Sequence, residues 1–211
     1  MASTKRQLLL YERPAAVLAG IDEVGRGALA GPVVSCAVIL ASPIPGLADS
    51  KTLSCDVRER LAAQIRKEAL AYGIGLVGQR MIDKINILQA TFMAMAIAVS
   101  RLRVTPGILA VDGRFTIPER YIRRFFCHRH GGMEPAQKAY IRGDASVPEI
   151  AAASIVAKTY RDALMRGFAE RWPDYGFERH VGYGTAYHRE ALARLGPCPL
   201  HRLSFRSVVC E

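Results

Sequence analysis

The uncharged run Val33 to Leu40, VVSCAVIL, restricts the fold of this chain more than any other stretch. A continuous, β-branched apolar run is typical of a strand that is covered on both faces of a sheet. The earlier apolar run Ala15 to Ile21 predicts a second strand that ends at Asp22, and the two strands together suggest a hairpin. Because strands repeatedly precede helices further along the chain, we expect an α/β protein.

Helical and strand-like segments alternate along the rest of the chain. Helices are predicted at Ser54 to Ala71 with Ser54 as N-cap, at Ile85 to Leu102, from a capping box at Ser146 and Glu149 to about Arg171, and around Tyr187 to Leu195. Short strands are predicted at Tyr72 to Val77, Ile108 to Val111 and Ala139 to Arg142. This order predicts a mixed β-sheet flanked by helices in a single domain over residues 1–211, with a small helical extension and tail over about 186–211.

The balance of charged residues indicates what kind of partner the protein binds. Lys and Arg number 29 and Asp and Glu number 19 among 211 residues, which gives a formal net charge of +10. An excess of positive charge favours a polyanion such as nucleic acid, although a solvated basic surface would give the same count. The longest uncharged stretch, Ala28 to Ala48, is broken by prolines and glycines, and Leu8 to Leu10 is too short for a signal peptide, so neither a membrane span nor export is expected.

The cysteines bear on the compartment. Five cysteines are scattered without a C-x-x-C pair, which favours reduced thiols in a cytoplasmic protein over a disulfide framework. A zinc cluster could be imagined from residues in the second half of the chain, but their spacing fits no usual ligand pattern. These residues are Cys127, His128, His130, Cys198 and His201.

Four acidic residues stand where apolar strands are predicted to stop: Asp22, Glu23, Asp112 and Asp144. Brought together, four carboxylates would raise one another's pKa, and a divalent cation removes that penalty. Mg²⁺ prefers carboxylate and phosphate oxygens, and two such ions can support phosphodiester hydrolysis. Each acid alone could equally bond the amides of a turn. The adjacent pair is more informative, because neighbours on a strand point to opposite faces and reach one site only where the strand distorts.

The loop Gly25 to Ala30 fits the G-x-G-x-x-A pattern of dinucleotide-binding proteins. That function needs a helix to begin at the glycines, so that its N-terminus faces the pyrophosphate. Here the glycines lead into Gly31-Pro32 and then the strand-like run, so we reject an oxidoreductase. The sequence also lacks the G-x-x-x-x-G-K-[ST] pattern of a P-loop NTPase.

Six blocks in matching order, from about Gly20 to Thr185, resemble bacterial type 2 ribonuclease H, ribonuclease HII. The blocks are GIDEVGRGALAGPVVSCAVIL (Gly20 to Leu40), ADSKTLS (Ala48 to Ser54), IDKINILQATFMAM (Ile82 to Met95), VDG (Val111 to Gly113), RGD with AAASIVAKTYRD (Arg142 to Asp162), and GYGT (Gly182 to Thr185). The resemblance implies a ribonuclease H-like fold and an endonuclease that uses two Mg²⁺ or Mn²⁺ ions. It would act on RNA/DNA hybrids and on duplex DNA containing ribonucleotides, cutting 5′ of single embedded ribonucleotides and leaving 3′-hydroxyl and 5′-phosphate ends.

The resemblance also assigns roles by position. The family's metal-binding acids match Asp22, Glu23, Asp112 and Asp144, and its ribose-contacting loop matches Gly25, Arg26 and Gly27. A glycine loop suits this task because the 2′-hydroxyl is the group that separates RNA from DNA. Tyr183 matches a tyrosine that stacks on the following deoxyribose, and Lys51 matches a lysine that could hold a DNA phosphate or could simply be solvated. We expect a monomer with no membrane partner.

Several positions are open or depart from the family. Ser154 and Lys158, one helical turn apart, could face the nucleic acid or form an ordinary polar surface. The family usually has lysine where this chain has Arg142 and Val181, and the valine puts one phosphate contact in doubt. The basic stretch 119–138 could be an added loop or hairpin that grips a duplex, or a variable surface insertion. His180, with neighbouring arginines, is predicted to form a basic rim near Tyr183.

Two other functions are compatible with this architecture. One is a nucleic-acid-binding module without catalysis, which clustered negative charge disfavours because acids repel phosphate. The other is a different two-metal phosphoryl-transfer enzyme. The glycine-arginine-glycine loop together with Tyr183 discriminates against it, since only a protein that recognises ribose needs both.

Overall fold

The structure is a computed structural model that describes residues 17–47, 53–127, 129, 131–132 and 134–208. Five strands form one sheet in the order β3-β2-β1-β4-β5. They are β1 (Leu18–Val24), β2 (Val33–Ile39), β3 (Ala71–Val77), β4 (Ile108–Asp112) and β5 (Ala136–Tyr140). Strands β1 to β3 pair antiparallel, whereas β4 and β5 run parallel to β1, so the predicted hairpin and mixed sheet are both observed.

Helices cover both faces of this sheet. They are α1 (Cys55–Glu68), α2 (Gln79–Ile85), α3 (Ile87–Ser100), α4 (Glu119–Tyr121), α5 (Pro148–Arg171), α6 (Phe177–His180) and α7 (Ala186–Leu195). Every residue of β2 is buried, as its continuous apolar run predicts. Alternate residues of β1 and β2 pack against α3 on one face, while Cys36 and Val38 pack against α1 and α5 on the other.

Glycines bring two helices unusually close to the sheet. A Cβ on Gly75 of β3 would lie 1.9 Å from the carbonyl oxygen of Ala94 in α3. A Cβ on Gly20 of β1 would lie 2.1 Å from the carbonyl carbon of Glu149, in the first turn of α5. The start of α5 therefore rests directly on β1, two residues before Asp22, and this contact positions the helix over the acidic residues.

Three sequence predictions of helix boundaries have clear outcomes. Ser54 caps α1, since its hydroxyl accepts a hydrogen bond from the amide of Val57 at 3.4 Å. The predicted helix Ile85 to Leu102 is wrong as a single element, because Asn86 at φ 67° separates α2 from α3 and caps α3 with its side chain. The capping box at Ser146 is also wrong, because Val147 precedes α5 without a side-chain cap and Pro148 occupies the first helical position.

The strand predicted at Ala139 to Arg142 begins earlier, at Ala136, and ends at Tyr140. Before it, residues 119–127 of the basic stretch are helical: α4 continues into a π-helix, Ile122–Cys127. Ile122 and Phe126 are buried in the core on the α3 face of the sheet. On the outer face Arg123 forms ion pairs with Glu119 and Glu134, so part of the basic charge is already neutralised.

The C-terminal region packs under the loop that joins β1 to β2. Leu29 and Ala30 from that loop share a buried cluster with residues of α5, α6, α7 and the final turns. Ala30 also pairs with His201 through an isolated β-bridge, and the amide of Arg202 donates to the carbonyl of Leu29 at 2.9 Å. None of the helices among the described residues is long and apolar enough to span a membrane.

Candidate active site

All four predicted acids line one cavity of about 440 Å³. Asp22 and Glu23 lie near the end of β1, Asp112 is the last residue of β4, and Asp144 lies in the short 3-10 turn Gly143–Ala145. The remaining lining residues are Val24, Ser154, Lys158 and Tyr183. The structure therefore brings together carboxylates that are more than a hundred residues apart in the sequence.

Sheet register explains how the acids meet. Strands β1 and β4 are parallel, with Ile21 opposite Val111, so Asp22 and Asp112 follow at the same edge of the sheet. Asp112 is in turn opposite Tyr140 of β5, after which Arg142 at φ 56° turns the chain back toward the site. The amide of Gly143 then donates to Oδ1 of Asp112 at 2.7 Å, which ties the Asp144 turn to β4.

The prediction that β1 ends at Asp22 is wrong. Regular pairing with β2 continues through Asp22 and Glu23, opposite Cys36 and Ser35, and ends at Val24. The two neighbouring acids still line the same cavity, so the strand need not end between them. The amide of Glu23 donates to Oδ1 of Asp22 at 2.7 Å, and this short bond fixes the Asp22 carboxylate beside its own strand.

The cavity disfavours negative charge on its own acids. Burial raises the pKa of Asp22 well above its ordinary value, and the charges of Glu23 and Asp112 add to the effect. Burial also raises the pKa of Glu23, although the nearby Arg26 opposes the shift. The pKa of Asp112 is raised by burial first and also by the charge of Asp144, while the bond from Gly143 opposes it. The pKa of each of these three acids is therefore shifted in the direction that a bound cation would reverse.

One carboxylate oxygen is left without a partner. Oε2 of Glu23 is buried and accepts no hydrogen bond from any residue that the structure describes, whereas Oε1 pairs with Arg26 at 3.2 Å. A buried, unpaired carboxylate oxygen is costly, and a hard cation is a ligand that would satisfy it. As they stand, no three acidic, histidine or cysteine side chains of the described residues are arranged to hold a metal ion.

The predicted glycine loop lies beside the acids. Gly25 is buried at φ 88°, and a Cβ there would lie 2.1 Å from Nε of Arg161 beneath it. Gly27 differs, because a Cβ there would meet no atom within 4 Å. Arg26 between them is half-exposed and pairs with Glu23. Gly25 is therefore required by the fold, whereas the lack of a side chain at Gly27 leaves the outer face of the loop open.

Tyr183 lines the same cavity, with its ring 5.4 Å from the guanidinium carbon of Arg161. Its carbonyl oxygen contacts Nδ1 of His188 at 3.0 Å, and its amide donates to the carbonyl of His180 at 2.9 Å. The prediction that His180 forms part of a basic rim is wrong. His180 is buried against His188, with ring centroids 4.3 Å apart, and burial lowers its pKa.

The remaining predicted positions have mixed outcomes. Ser154 and Lys158 line the cavity, and Nζ of Lys158 pairs with Asp162 at 2.8 Å. Val181 has a backbone φ of 44°, a conformation that β-branched residues rarely adopt. Lys51 lies outside the residues that the structure describes.

Comparison with known proteins identifies the family. The sequence model of the ribonuclease HII family matches residues 19–208. Ribonuclease HII of Nitratidesulfovibrio vulgaris is 53% identical over 194 residues, which cover 91% of this chain and 87% of that protein. Ribonuclease HII of Halorhodospira halophila is 51% identical over 191 residues, covering 90% of this chain and 91% of that protein.

The chain belongs to the ribonuclease HII family. Members of this family are metal-dependent endoribonucleases, and the chain is accordingly an endonuclease of the ribonuclease H type that hydrolyses the RNA strand of RNA/DNA hybrids. Cutting on the 5′ side of single ribonucleotides embedded in DNA fits the same family. The alternative of a non-catalytic nucleic-acid-binding module is therefore set aside.

Solved structures of ribonuclease HII type confirm the ribonuclease H-like fold. Ribonuclease H2 of Pyrococcus horikoshii superposes with a TM-score of 0.71 and 25% identity, covering 90% of this chain and 94% of that one. Ribonuclease HII of Archaeoglobus fulgidus, solved in complex with PCNA, gives a TM-score of 0.64 and 30% identity over 84% of this chain and 87% of that one.

Two residues beneath the ribonuclease HII glycine loop were not predicted from the sequence to support it. Arg161 and Arg202 are fully buried and bond to backbone carbonyls of the loop. Arg161 lies within the block AAASIVAKTYRD that carries the family resemblance, so its position is the one signal that could have singled it out. Arg202 lies in the irregular tail, where no pattern distinguishes it from a solvated arginine.

Proposed function

We propose that Asp22, Glu23, Asp112 and Asp144 form the catalytic centre and hold two Mg²⁺ or Mn²⁺ ions. The observation that supports this most directly is a single cavity lined by all four acids, in which Oε2 of Glu23 is buried without a partner. Their raised pKa values belong to a site that gains stability when a cation arrives.

When bound, such ions supply an activated water and stabilise the leaving oxygen in phosphodiester hydrolysis. The protein itself orients the acids: the amide of Glu23 donates to Oδ1 of Asp22, and the amide of Gly143 donates to Oδ1 of Asp112. Water attacks the phosphorus on the 5′ side of the ribonucleotide, and the bond from phosphorus to the preceding 3′-oxygen breaks. That 3′-oxygen takes up a proton, which leaves 3′-hydroxyl and 5′-phosphate ends.

The substrate is selected beside the acids by the glycine loop and Tyr183. In this proposal the backbone of Gly25, Arg26 and Gly27 contacts the 2′-hydroxyl, and the Tyr183 ring stacks on the next deoxyribose. The open outer face of Gly27 and the place of Tyr183 in the cavity lining support both contacts. Lys51 would hold a phosphate of the DNA strand, and the net charge of +10 favours the duplex as a whole.

We further propose that the protein is a cytoplasmic monomer, with one domain over residues 1–211, that removes ribonucleotides in DNA repair. Support comes from Cys36, Cys55 and Cys198, which form no disulfide among the described residues, and from a family match that extends over most of the chain. A different two-metal phosphoryl-transfer reaction is disfavoured, because such an enzyme has no need for a loop and a tyrosine that contact ribose.

The catalytic assignment is tested with a duplex that contains one ribonucleotide. We expect Asp22→Asn and Asp112→Asn each to lower kcat by about a thousandfold or more, since each removes a charge that the reaction uses. Glu59→Gln is the matched control, because it removes a carboxylate from an exposed ion pair with Arg166. Cleavage by either site variant at a rate near that of the control would refute the site.

The ribose-contact assignment is tested with two glycine variants. Gly27→Ala introduces a methyl group that meets no protein atom, so its unfolding midpoint should stay close to that of the wild type. Its kcat/KM on the single-ribonucleotide duplex should still fall about tenfold or more, because the methyl group lies where the ribose approaches. Gly25→Ala, in contrast, should lower stability as well, through positive φ and the contact with Arg161. Full activity of Gly27→Ala would overturn the contact.

A further inference from the structure

Two cationic side chains are fully buried beneath the glycine loop. Arg161 of α5 and Arg202 of the C-terminal segment both have 0% exposure. Neither forms an ion pair with a carboxylate among the described residues. A buried charge without a counter-charge is expensive, so each guanidinium must be stabilised by other polar groups.

The stabilising groups of Arg202 are carbonyls of the loop itself. Its Nη2 donates to the carbonyl of Gly25 at 2.7 Å, its Nη1 donates to the carbonyl of Arg26 at 2.9 Å, and its Nε donates to the carbonyl of Gly31 at 2.9 Å. All three donor nitrogens of one planar group are therefore used on a single loop. Only arginine has this fork of donors, because lysine presents a single nitrogen.

Arg161 holds the other end of the loop and the segment that carries Tyr183. Its Nε donates to Pro32 at 3.0 Å and its Nη2 to Ala30 at 3.1 Å, in both cases to the backbone carbonyl. Its Nη1 donates to the carbonyl of Val181 at 2.8 Å, two residues before Tyr183. Val181, whose carbonyl accepts this hydrogen bond, has a positive φ that is unfavourable for a β-branched residue. One side chain thus connects the glycine loop to the tyrosine.

Peptide geometry converts these bonds into an orientation of the loop amides. In a trans peptide the carbonyl of one residue and the N–H of the next point in opposite directions, and the structure has no cis peptide among its described residues. The carbonyls of Gly25 and Arg26 point inward to Arg202. The N–H groups of Arg26 and Gly27 therefore point away from Arg202, toward the exposed side of the loop.

We propose that Arg161 and Arg202 are positioning residues for ribose recognition, which fix the loop carbonyls inward so that the amides of Arg26 and Gly27 are preset to donate to the 2′-hydroxyl. The proposal rests on the proposed role of the glycine loop. The six bonds form without substrate, so the loop needs no reordering when the ribonucleotide arrives, and this preorganisation adds to affinity. Tyr183 is kept in register with the loop through the Arg161 bond to Val181.

The test measures preference in binding rather than cleavage. Fluorescence anisotropy in Ca²⁺ gives the ratio of affinities for a duplex with one ribonucleotide and for the same duplex made wholly of DNA. We expect Arg202→Lys to lower this ratio about tenfold, the size expected for losing one or two hydrogen bonds. Its affinity for the all-DNA duplex should stay within about twofold, because lysine keeps the charge.

A matched control separates positioning from stability. Met95→Ala removes buried side-chain volume from α3 on the opposite face of the sheet, so it lowers the unfolding midpoint without touching the loop. It should keep the wild-type ratio. An unchanged ratio in folded Arg202→Lys, or an equal fall in Met95→Ala, overturns the positioning role. If the wild type shows no preference and Gly27→Ala leaves activity intact, the ribose contact itself fails, and this proposal fails with it.

A measurement on the wild type covers the case in which Arg202→Lys does not fold. Hydrogen exchange followed by NMR should show slow exchange of the guanidinium N–H groups of Arg161 and Arg202. The amides of Arg26 and Gly27 should exchange rapidly in the same sample, and become protected when the ribonucleotide duplex is added. Rapid exchange of both guanidinium groups, or loop amides that are already protected without substrate, would overturn the proposal.

Discussion

A cluster of buried histidines contributes stability that is lost as the pH falls below about 6.5. His188 is fully buried, stacks on His180 and shares a 3.0 Å contact between its Nε2 and that of His201. Burial lowers the pKa of His188 from 6.5 to about 4, and the two neighbouring rings add to the shift. Burial lowers the pKa of His180 and of His201 as well.

The size of the effect follows from the shift on His188. The unfolded chain takes up a proton on this ring near pH 6.5, whereas the folded protein does so only near pH 4. Each unit of pKa difference corresponds to about 1.4 kcal/mol, so the free energy of unfolding falls by about 3 kcal/mol across this window. Above pH 6.5 the ring is neutral in both states and contributes nothing to the pH dependence.

The acids of the cavity titrate with the opposite sign. Because burial raises the pKa of Asp22, Glu23 and Asp112, the folded protein holds protons that the unfolded chain has already lost. Their contribution favours the folded state at low pH and is lost as the pH rises through their folded pKa values. The histidine contribution must therefore be measured as a difference between two proteins that share these acids.

The variant His188→Asn provides that difference, because its amide can still donate to the carbonyl of Tyr183 but does not titrate. Urea unfolding of both proteins, followed by the fluorescence of Trp172 in EDTA, gives the free energy of unfolding at pH 7.5, 6.5, 5.5, 4.5 and 4.0. The advantage of the wild type over the variant should shrink by about 3 kcal/mol between the ends of a series extended to pH 4. A difference that stays constant within about 0.5 kcal/mol over the whole range would refute the reasoning.

Three further variants test other parts of the structure. Asp22→Asn removes a buried charge from the acid cluster, so it should raise the urea midpoint in EDTA while abolishing cleavage; a lower midpoint would contradict the electrostatic account. Val181→Lys removes a β-branched residue at φ 44°, so the stability of the protein should not fall. The variant also adds a cation, so the slope of log affinity for the duplex against log salt concentration should steepen by about one unit. An unchanged slope would mean that the side chain reaches no phosphate. Gly20→Ala places a Cβ 2.1 Å from the backbone of Glu149 and should cost about 3 kcal/mol; a normal unfolding midpoint would show that α5 does not rest on β1.

The acidic cluster was predictable because its determinants are local. Asp22, Glu23 and Asp112 lie near the carboxyl ends of the apolar strands β1 and β4, and parallel strands deliver their carboxyl ends to the same end of the sheet. The family resemblance then assigned the same four residues. The boundaries were less predictable: β1 continues past Asp22 because Glu23 and Val24 still pair with β2, and pairing depends on a partner strand that local sequence does not reveal.

Features that depend on contacts between distant parts of the chain could not be predicted from the sequence. The break at Asn86 follows an ordinary helical pattern of apolar residues, and α2 is fixed from outside by Asp83, whose carboxylate accepts from the amides of Leu203 and Ser204. The burial of His180 depends on the later α7 and the tail. Arg202 becomes a loop support only when the tail meets residues about 175 positions earlier, and no period or motif encodes such a contact.

The most direct test of the central claim is calorimetric titration of the protein with Mn²⁺ alone. The wild type should bind Mn²⁺ and release protons, since acids with raised pKa values give up their protons to a cation. Asp112→Asn should weaken binding at least about tenfold, while Glu59→Gln should bind like the wild type. Equal binding by all three proteins, with no proton release, would contradict the assignment of the acids as the metal centre.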